Sequence, residues 1–391
     1  MSTLRTSAIQ SPSTTNGGIS IDSSGNITLP ANTKVGTQNL PSAGPLSNRN
    51  LIINGAMQVA QRGTSVAVSD NSNEGYQSLD RYGFLFGSTH GGACTISRST
   101  TVPANQGFTN SYKVDVTTDS SPTANQSTGI YIKIEAQDVA NSGWNFTSTS
   151  SFVTLSFWAR STLGGTYCVT LDSDDAATYE KYVHEYTLTA DTWTKVEVQI
   201  PGKSTLAYNN DNGVGAQVTW VLSAGSNRNL ATNDTWQTGN NQSTSNQVNL
   251  FNSTANDFYL TGVQLEVGSV ATPFEHRSYG DELARCLRYF QYYTTNNTNA
   301  NYAGIGIAAS ASSARFYSAL IAPMRTAPSV TASSCSADDQ VSNTYPLSSP
   351  SIASSSIGSL FLQFTTSGMT TGRPIHLLIG NGGNISLSAE L

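Results

Sequence analysis

The sequence predicts an all-β protein in which an antiparallel jelly-roll β-sandwich is followed by a short linking α-helix and a small carboxyl-terminal β domain. Three observations predict this class. Stretches in which apolar and polar residues alternate recur from Asn50 to about Glu275, and this alternation is the period of a half-buried strand. Turn residues separate these stretches without an intervening helical pattern, which favours an antiparallel sandwich. The 391 residues are 37% hydrophobic, enough for a sizeable core and for more than one domain.

Residues 1–47 are predicted to form a tail, a β-hairpin and a linker. In GISIDSSGNITLP, aliphatic residues alternate on both sides of a turn at Ser24-Gly25, as in a hairpin. The aliphatic residues of its one apolar face are Ile19, Ile21, Ile27 and Leu29. Because so small a hairpin is not stable alone in water, we expect copies from other subunits or a docking partner to cover it.

Residues 48–276 are predicted to form the sandwich. Its strands include FVTLSFWAR, KYVHEYTL, WTKVEVQIP and FYLTGVQLEVG. Trp158 and Trp193 lie in two of these strands, and we interpret both as core or strand-edge packing. A span of this length suits a jelly roll with long loops, so one domain is the economical interpretation.

Residues 277–295 are predicted to contain one amphipathic helix. Ser278 stands three positions before Asp281, the spacing of a helix amino-terminal cap. Tyr279, Leu283, Leu287 and Phe290 then recur at helical spacing. We expect this stripe to be covered by the second domain or by neighbouring subunits. Residues 296–391 return to a β pattern, and the small core predicted for them favours self-association.

The composition excludes several classes of function. A net charge of −6 and a pI near 5.2 argue against a nucleic-acid partner, because phosphate binding needs a basic surface. No apolar run approaches the roughly 20 residues of a membrane helix, and the amino terminus lacks the apolar segment of a secretory signal, so we expect synthesis in a cytoplasm and no membrane insertion. The four cysteines are widely separated in sequence, which predicts reduced, buried thiols and no zinc site.

Catalytic motifs are missing from the sequence. It contains no G-x-S-x-G, H-E-x-x-H, P-loop or dinucleotide-binding pattern, and we predict no catalytic residue and no enzyme activity. The acidic residues Asp172, Asp174 and Asp175 lie between two predicted strands. They suit a solvated turn, or alternatively contacts to sugar hydroxyls or calcium. A glycosidase needs two carboxylates at a fixed separation, which the sequence alone does not place.

Aromatic residues point to a surface for sugars, whose apolar C–H faces stack on rings. The chain has 17 Tyr, 13 Phe and 5 Trp. Trp144 and Trp236 lie in loop-like Gly, Ser and Asn surroundings, where we expect exposed rings. Tyr179 and Tyr182 lie beside the acidic cluster. The candidate glycan-binding residues are therefore Trp144, Tyr179, Tyr182, Trp236, Asp174 and Asp175.

Several segments together resemble the carbohydrate-binding-module-like region of bacteriophage tail fibre proteins. They are NRNLIINGAMQVAQRGTS, LDRYGF, VTLSFWARS, TWTKVEVQIPG and FYLTGVQLEVGSVATPFEHRSYGDELARCLRYFQYY. The resemblance covers roughly residues 48–293. It implies a jelly-roll module in a homotrimeric fibre of the virion, assembled in the host cytoplasm. It also implies attachment to other tail or baseplate proteins through the amino terminus, and non-catalytic recognition of host surface polysaccharide or lipopolysaccharide.

Two alternatives stay open beside this function: a tailspike-type polysaccharide depolymerase, and a purely structural fibre or decoration protein. The resemblance also raises a structural calcium ion between the first and last strands. Asn54 and Thr261-Gly262 stand where such modules carry acidic residues, so we expect neither a metal nor another cofactor. The residues expected at subunit contacts are Ile19, Ile21, Ile27, Leu29, Leu283, Leu287 and Phe290.

Overall fold

The computed structural model describes residues 48–69, 75–86, 90–175, 179–295, 301–341, 343–355 and 358–391, together with the backbone of five short strands before them. Those five strands are β1 (Ala8–Ile9), β2 (Ile19–Ile21), β3 (Ile27–Thr28), β4 (Lys34–Val35) and β5 (Gln38–Asn39). β2 and β3 pair in antiparallel fashion with Ile21 opposite Ile27, which confirms the hairpin. Its turn and Leu29 lie outside the described residues, and the role of Ile19, Ile21 and Ile27 in subunit contacts stays a prediction.

Two six-stranded sheets form the sandwich. Its elements are β6 (Ser65–Ser69), β7 (Gly83–Phe86), β8 (Ala93–Ser99), β9 (Ser111–Thr118), β10 (Ser127–Glu135), α1 (Ala136–Ala140), β11 (Phe152–Ser161), β12 (Gly165–Ser173), β13 (Glu180–Leu188), β14 (Thr194–Pro201), β15 (Val214–Ala224), β16 (Thr235–Thr238) and β17 (Asp257–Val267). Sheet A has the order β16-β13-β12-β15-β10-β7, and sheet B has the order β14-β11-β17-β9-β8-β6. Strands distant in sequence are therefore neighbours in both sheets, and the named strands of both pair antiparallel. The predicted all-β, antiparallel jelly-roll class is confirmed.

The sandwich core is built from alternate residues of both sheets. Trp220 of sheet A meets Phe157 of sheet B edge to face, with ring centroids 5.6 Å apart. Both side chains are fully buried, as are Tyr112 and Tyr167. Burying a large apolar side chain stabilises a fold by roughly 1.5–3 kcal/mol. Because all of these buried side chains belong to one chain, the sandwich core is complete without a partner.

Helix α2 (Tyr279–Leu287) begins as predicted and ends earlier than predicted. The Ser278 hydroxyl accepts a hydrogen bond from the backbone N–H of Asp281 at 3.2 Å, which confirms the cap. The chain then forms strand β18 (Phe290–Thr294), which pairs with a distant carboxyl-terminal strand. The extension of the helix to 295 is therefore wrong, because aromatic and β-branched residues in FQYYT satisfy their backbone groups in a sheet.

The stripe of α2 is largely covered within one chain. Leu287 and Phe290 are 8% and 6% exposed, and Leu283 is half-buried. Of the two coverings that we expected, burial of Leu287 and Phe290 within one chain favours the second domain over neighbouring subunits, whereas Tyr279 of the same stripe is 57% exposed. Just after the helix, Arg288 donates to both oxygens of the buried Glu135 carboxylate at 2.7 and 2.8 Å, which ties this segment to sheet A.

The carboxyl-terminal domain is one eight-stranded sheet, called sheet C. Its further strands are β19 (Asn301–Ser310), β20 (Ser313–Ala319), β21 (Ser329–Asp338), β22 (Thr344–Pro346), β23 (Ser348–Ser355), β24 (Ser359–Thr365) and β25 (Pro374–Ser388). They follow the order β22-β21-β25-β19-β20-β24-β23, and β18 also pairs with β25. Sheet C encloses a second core that includes Phe316, Leu362 and Leu387. It starts at Phe290, six residues before the domain boundary that the sequence suggested.

Ion pairs around Glu390 join the two cores. The Glu390 carboxylate pairs with Arg81, and with Arg62 at 3.0 Å. Arg81 also stacks on Tyr289, 3.5 Å from the ring centroid. Beside them, the Arg325 guanidinium donates to the Asn212 carbonyl of the sandwich at 2.7 Å.

All four cysteines are free and buried, as predicted, and burial raises the pKa of the Cys168 and Cys335 thiols to about 11. Among the described residues, the helices are too short and too polar to cross a membrane.

Candidate functional site

The outer face of sheet A carries a row of polar side chains across its central strands. Asp172 of β12 lies opposite Lys181 of β13 and opposite Gln217 of β15. Two residues earlier in β12, on the same face, Thr170 lies opposite Thr219 of β15. These residues alternate with core residues, so they point away from the sandwich interior. We call this set, with Tyr179 and Tyr131, the sheet A outer face.

A buried ion pair lies at its centre. One oxygen of Asp172, Oδ2, accepts from the Lys181 ammonium at 2.6 Å and from the Tyr179 hydroxyl at 2.6 Å. The Asp172 and Lys181 side chains are 0% and 2% exposed. Burial, followed by the nearby Asp172 carboxylate, raises the pKa of Tyr179 far above its ordinary value, so this hydroxyl stays protonated and donates.

Two polar atoms beside this pair have no partner among the described residues. They are Asp172 Oδ1 and Thr170 Oγ1, and both are closed to solvent. A buried polar atom without a hydrogen bond costs about 1–3 kcal/mol, and native proteins rarely keep one without a reason. The two residues are two positions apart on β12, so both unpartnered atoms lie close together on the same face of sheet A.

Half-exposed side chains adjoin this area on β10 and β15. The Gln217 amide donates to Thr219 Oγ1 at 3.0 Å. The Tyr131 ring lies directly on Gly83, where an added Cβ would come within 2.2 Å of the ring. Gly83 therefore permits the ring to lie against the sheet. Lys133 has its ammonium 5.7 Å from the centroid of that ring, and burial lowers the pKa of Lys133.

The structure brings Asp174 to the same face and gives Asp175 another role. The backbone N–H of Asp174 donates to the Gly215 carbonyl at 3.0 Å, which places it at the end of β12. Burial, and then the neighbouring Asp172 carboxylate, raises the pKa of Asp174 to about 6, although its side chain reaches solvent. Asp175 instead accepts from the backbone and side-chain amides of Asn209 at 3.0 and 3.1 Å, so it holds a loop.

Tyr182 and Trp236 form a separate pair at the edge of the sandwich. Their rings meet edge to face at 5.6 Å. The Trp236 indole donates to the Pro201 carbonyl at 2.7 Å, and Tyr182 is only 5% exposed. Tyr182 faces the interior, on the side of the sheet opposite Asp172. The structure therefore does not bring these two residues together with Tyr179 and Asp174.

Trp144 is buried, and the expectation of an exposed ring is wrong. Its side chain is 4% exposed and packs near Phe146 and Tyr208, with centroids 6.3 and 6.1 Å away. Its indole donates to the Ser151 carbonyl at 3.3 Å. The surrounding Gly, Ser and Asn residues suggested an open loop, but the nearby Phe146 and the sequence-distant Tyr208 pack against the ring.

The tryptophans that we assigned to packing are more exposed than expected. Trp158 and Trp193 are both half-exposed on the outer face of sheet B. Trp158 lies in β11 on the side that alternates with core residues, and Trp193 directly precedes β14.

The residues at the possible calcium position do not fit that ion. The Asn54 side-chain oxygen accepts from the Val59 N–H at 2.9 Å, and its amide donates to the carbonyls of Val59 and Asp80 at 2.9 Å. The Thr261 hydroxyl donates to the Asn110 carbonyl at 2.7 Å. These side chains already hold the backbone, and in the described part of the chain no group of three His, Cys, Asp or Glu could hold a metal ion.

No protein-family model matches the sequence, and no curated protein sequence matches it. Solved structures with a similar arrangement include the enzymatically active domain of tailspike protein 4 of bacteriophage CBA120, at 11% identity and a TM-score of 0.30. That match covers 56% of this chain and 21% of the tailspike chain, so this chain spans about a fifth of it.

Two carbohydrate-binding modules of known structure are similar to this chain to about the same degree as the tailspike domain. The family 11 module of a cellulosomal cellulase from Clostridium thermocellum has 13% identity and a TM-score of 0.26, with 55% of this chain and 100% of the module covered. A family 16 module has 16% identity and a TM-score of 0.23, with 44% and 84% covered. Similarities of this size do not establish a shared function.

Proposed function

We propose that this chain is a non-catalytic adhesin of a bacteriophage tail fibre that binds glycans on the bacterial surface through the sheet A outer face. The observation that carries the proposal is the pair of buried, unpartnered atoms Asp172 Oδ1 and Thr170 Oγ1. A sugar hydroxyl both donates and accepts, so a single saccharide unit would satisfy both atoms.

The remaining chemistry of this face suits a sugar. Tyr131 offers a ring for a C–H face, and Gln217 offers a planar amide. The Lys181 charge is already balanced by Asp172 at 2.6 Å, so an acidic group is not required on the ligand. Thr170 and Asp172 are 1% and 0% exposed, so a ligand reaches their free atoms only when the side chains that cover them move.

Gln217→Ala and Tyr131→Ala test the site, with Gln199→Ala as the matched control. Gln199 is an exposed glutamine on sheet B. We expect fluorescently labelled protein to bind host cells and their purified polysaccharide. The two sheet A variants should lose most of this binding at an unchanged melting temperature. Equal binding by all three variants would contradict the proposal.

A homotrimer attached through its amino-terminal segment is part of this proposal. Large apolar side chains exposed on sheet C support self-association: Ile305 is 69%, Tyr317 52% and Phe361 46% exposed. Ile305 lies opposite Tyr317, and Tyr317 lies opposite Phe361, in the sheet. Contiguous apolar patches of this kind mark interaction sites. Sedimentation should give three copies for the full chain and fewer for Phe361→Lys; a monomeric wild-type protein would exclude the trimer.

A polysaccharide depolymerase is the second candidate, because one observation favours it. A carboxyl group with its pKa raised to about 6, Asp174, neighbours the carboxylate of Asp172, and a proton donor beside a carboxylate is the pairing that glycoside hydrolysis uses. Incubation with host polysaccharide should leave its chain length unchanged. Shortened oligosaccharides that disappear with Asp174→Asn would replace the adhesin by the enzyme.

A further inference from the structure

A lysine and an aspartate stand directly opposite each other in two neighbouring strands and are closed to water. Asp172 of β12 and Lys181 of β13 are register partners. Their side chains are 0% and 2% exposed, and Lys181 Nζ lies 2.6 Å from Asp172 Oδ2. Taking two charges out of water costs several kcal/mol per ion, which their mutual attraction often fails to repay. Stability alone therefore does not account for an ion pair at this depth.

The fixed position of the two groups favours a reaction between amine and carboxyl. Nζ contacts one carboxyl oxygen, so the carboxyl carbon Cγ lies one bond beyond it, near the separation of roughly 3–3.5 Å from which reacting atoms attack. In sheet A, β12 lies between β13 and β15, and β13 lies between β12 and β16, so both strands are held on both sides. Groups held in this way react as if present at about 10⁵–10⁸ M. Burial also excludes the bulk water that would reverse amide formation.

The two oxygens of the Asp172 carboxylate have different surroundings. Oδ2 accepts hydrogen bonds from the Lys181 ammonium and from the Tyr179 hydroxyl, each at 2.6 Å. Oδ1 has no partner in the part of the chain that the structure describes. Oδ2 is therefore positioned to receive protons and leave, whereas Oδ1 is positioned to remain as the carbonyl oxygen of a product.

We infer that Lys181 Nζ and Asp172 Cγ condense after folding into an amide bond that cross-links β12 to β13. The ammonium gives one proton to Oδ2, and the neutral amine attacks Cγ, so the N–C bond forms. A second proton passes from the nitrogen to Oδ2, the C–Oδ2 bond breaks, and Oδ2 departs as water. The two opposite charges disappear together, and no oxidant or other reactant is consumed. Tyr179 stabilises Oδ2 through its hydrogen bond and keeps its own proton.

The product suits its place in the fold. One neutral amide replaces two buried charges, which removes their cost of desolvation. The bond closes the hairpin of β12 and β13 near its turn, so these strands do not separate there when the chain is pulled. Asp172 Oδ1 still accepts hydrogen bonds as an amide oxygen, so the atom on which the proposed glycan site depends is kept. The cross-link and the proposed adhesin can therefore fail separately.

The mass of the purified full chain tests the cross-link. Condensation removes one water, so the wild-type chain should be about 18 Da lighter than its sequence. Lys181→Arg keeps the positive charge without a nucleophilic amine and should have its full sequence mass. Full sequence mass for the wild type, or the same loss in Lys181→Arg, would overturn the inference. Host-cell binding that depends on Gln217 would still stand in that case.

A peptide map of the wild-type protein locates the bond without depending on any variant folding. Trypsin should fail to cleave after Lys181, so one peptide of residues 161–195 should carry the mass loss. Cutting this peptide after Glu180 with a glutamate-specific protease should leave its two parts joined. A lighter peptide that trypsin still cuts after Lys181 would indicate a succinimide at an aspartate and would overturn the inference.

Lys203 is the internal control in the same map. Its ammonium lies 2.8 Å from both oxygens of Glu180, but its side chain is 32% exposed, so water reaches this pair. Trypsin should cleave normally after Lys203. A cross-link there would overturn the argument that burial is what selects Lys181.

Tyr179→Phe tests the assigned route. The cross-linked fraction, sampled at intervals after synthesis, should rise about a hundredfold more slowly in this variant, the usual worth of a positioned proton-donating group. Tyr186→Phe is the matched control, because it removes a buried hydroxyl from the other side of β13 and should match the wild type. Equal rates for both variants and the wild type would overturn the role of Tyr179.

Discussion

Replacing Glu390 should uncouple the carboxyl-terminal sheet from the sandwich. The Glu390 carboxylate is 7% exposed and pairs with Arg81, whose side chain is 2% exposed, and with Arg62 at 3.0 Å. Arg81 also donates to the Lys133 carbonyl at 2.6 Å. Glu390→Gln keeps the shape of the side chain and removes the negative charge that these two guanidinium groups share.

The loss of unfolding free energy expected for Glu390→Gln follows from the burial of these ion pairs. Removing one partner of a buried ion pair costs about 3–5 kcal/mol, because the other charge is left without compensation. The glutamine amide oxygen still accepts a hydrogen bond, so we expect a value near the lower end, about 3 kcal/mol. For units of this size, 1 kcal/mol shifts the melting temperature by roughly 2–4 °C, which gives a shift of roughly 6–12 °C. Arg81→Met should lower the unfolding free energy by less than Glu390→Gln does, since Arg62 still pairs with Glu390.

Calorimetry of Glu390→Gln, Arg81→Met and the double variant measures both the cost and the coupling. The double variant should lose less than the sum of the single variants, by about 1–3 kcal/mol, because the residues are in direct contact. Glu197→Gln is the matched control: its partner Lys195 lies at 2.6 Å, and the two side chains are 49% and 39% exposed. An exposed pair of this kind is worth at most about 1 kcal/mol. If Glu390→Gln shifts the melting temperature no more than the control does, the ion pairs do not hold the domains together.

Four further changes test other parts of the structure. Lys181→Met leaves the buried Asp172 without its cation and should lower the urea unfolding free energy by about 3–5 kcal/mol; a cost below 1 kcal/mol would mean that the pair is solvated. Leu287→Asp should lower the melting temperature of the single chain, measured by circular dichroism, because Leu287 is 8% exposed; loss of oligomers at an unchanged melting temperature would contradict this. Gly262→Ala should cost about 1–3 kcal/mol, since φ is +63°, and an unchanged urea midpoint would argue against strain there. The raised pKa of Asp174, about 6, means that the folded chain binds more protons than the unfolded chain between about pH 4 and pH 6, so wild-type stability should fall with rising pH relative to Asp174→Asn; parallel pH profiles would rule out the shift.

The local alternation of apolar and polar residues was sufficient to predict most strands. It did not predict which strands pair with each other. FVTLSFWAR predicts β11 because Leu155, Phe157 and Ala159 occupy one face. It could not show that Trp158, on the other face, would stay half-exposed, since that depends on Thr261 and Lys195 in the neighbouring strands. Sequence spacing fixes which residues share a face, whereas partners distant in sequence fix what covers them.

The end of the helix shows the same limit. Leu287 and Phe290 have helical spacing, yet Phe290 pairs with Ser388, almost one hundred residues later. A local signal for a strand was present in FQYYT, but three preceding turns of helical periodicity outweighed it. The exposure of Trp144 was predicted wrongly for a related reason, because Tyr208, one of the rings packed against it, comes from a segment distant in sequence.

The candidate site could have been found in part from the sequence. Asp172 and Lys181 flank one predicted turn, so a hairpin places them opposite each other. Opposite charges at matching positions on the two sides of that turn are a signal for this pair. The unpartnered Thr170 hydroxyl had no such signal, because its isolation depends on the whole surface around it.

The distribution of burial changes the physical case for assembly. From the sequence, either the second domain or other subunits were expected to cover the helix stripe, and one chain covers both the sandwich core and Leu287. The large apolar side chains that one chain leaves exposed include Ile305, Tyr317 and Phe361 of sheet C, each at least 46% exposed. The proposed glycan surface and these proposed subunit contacts use different residues, so variants of each should act independently.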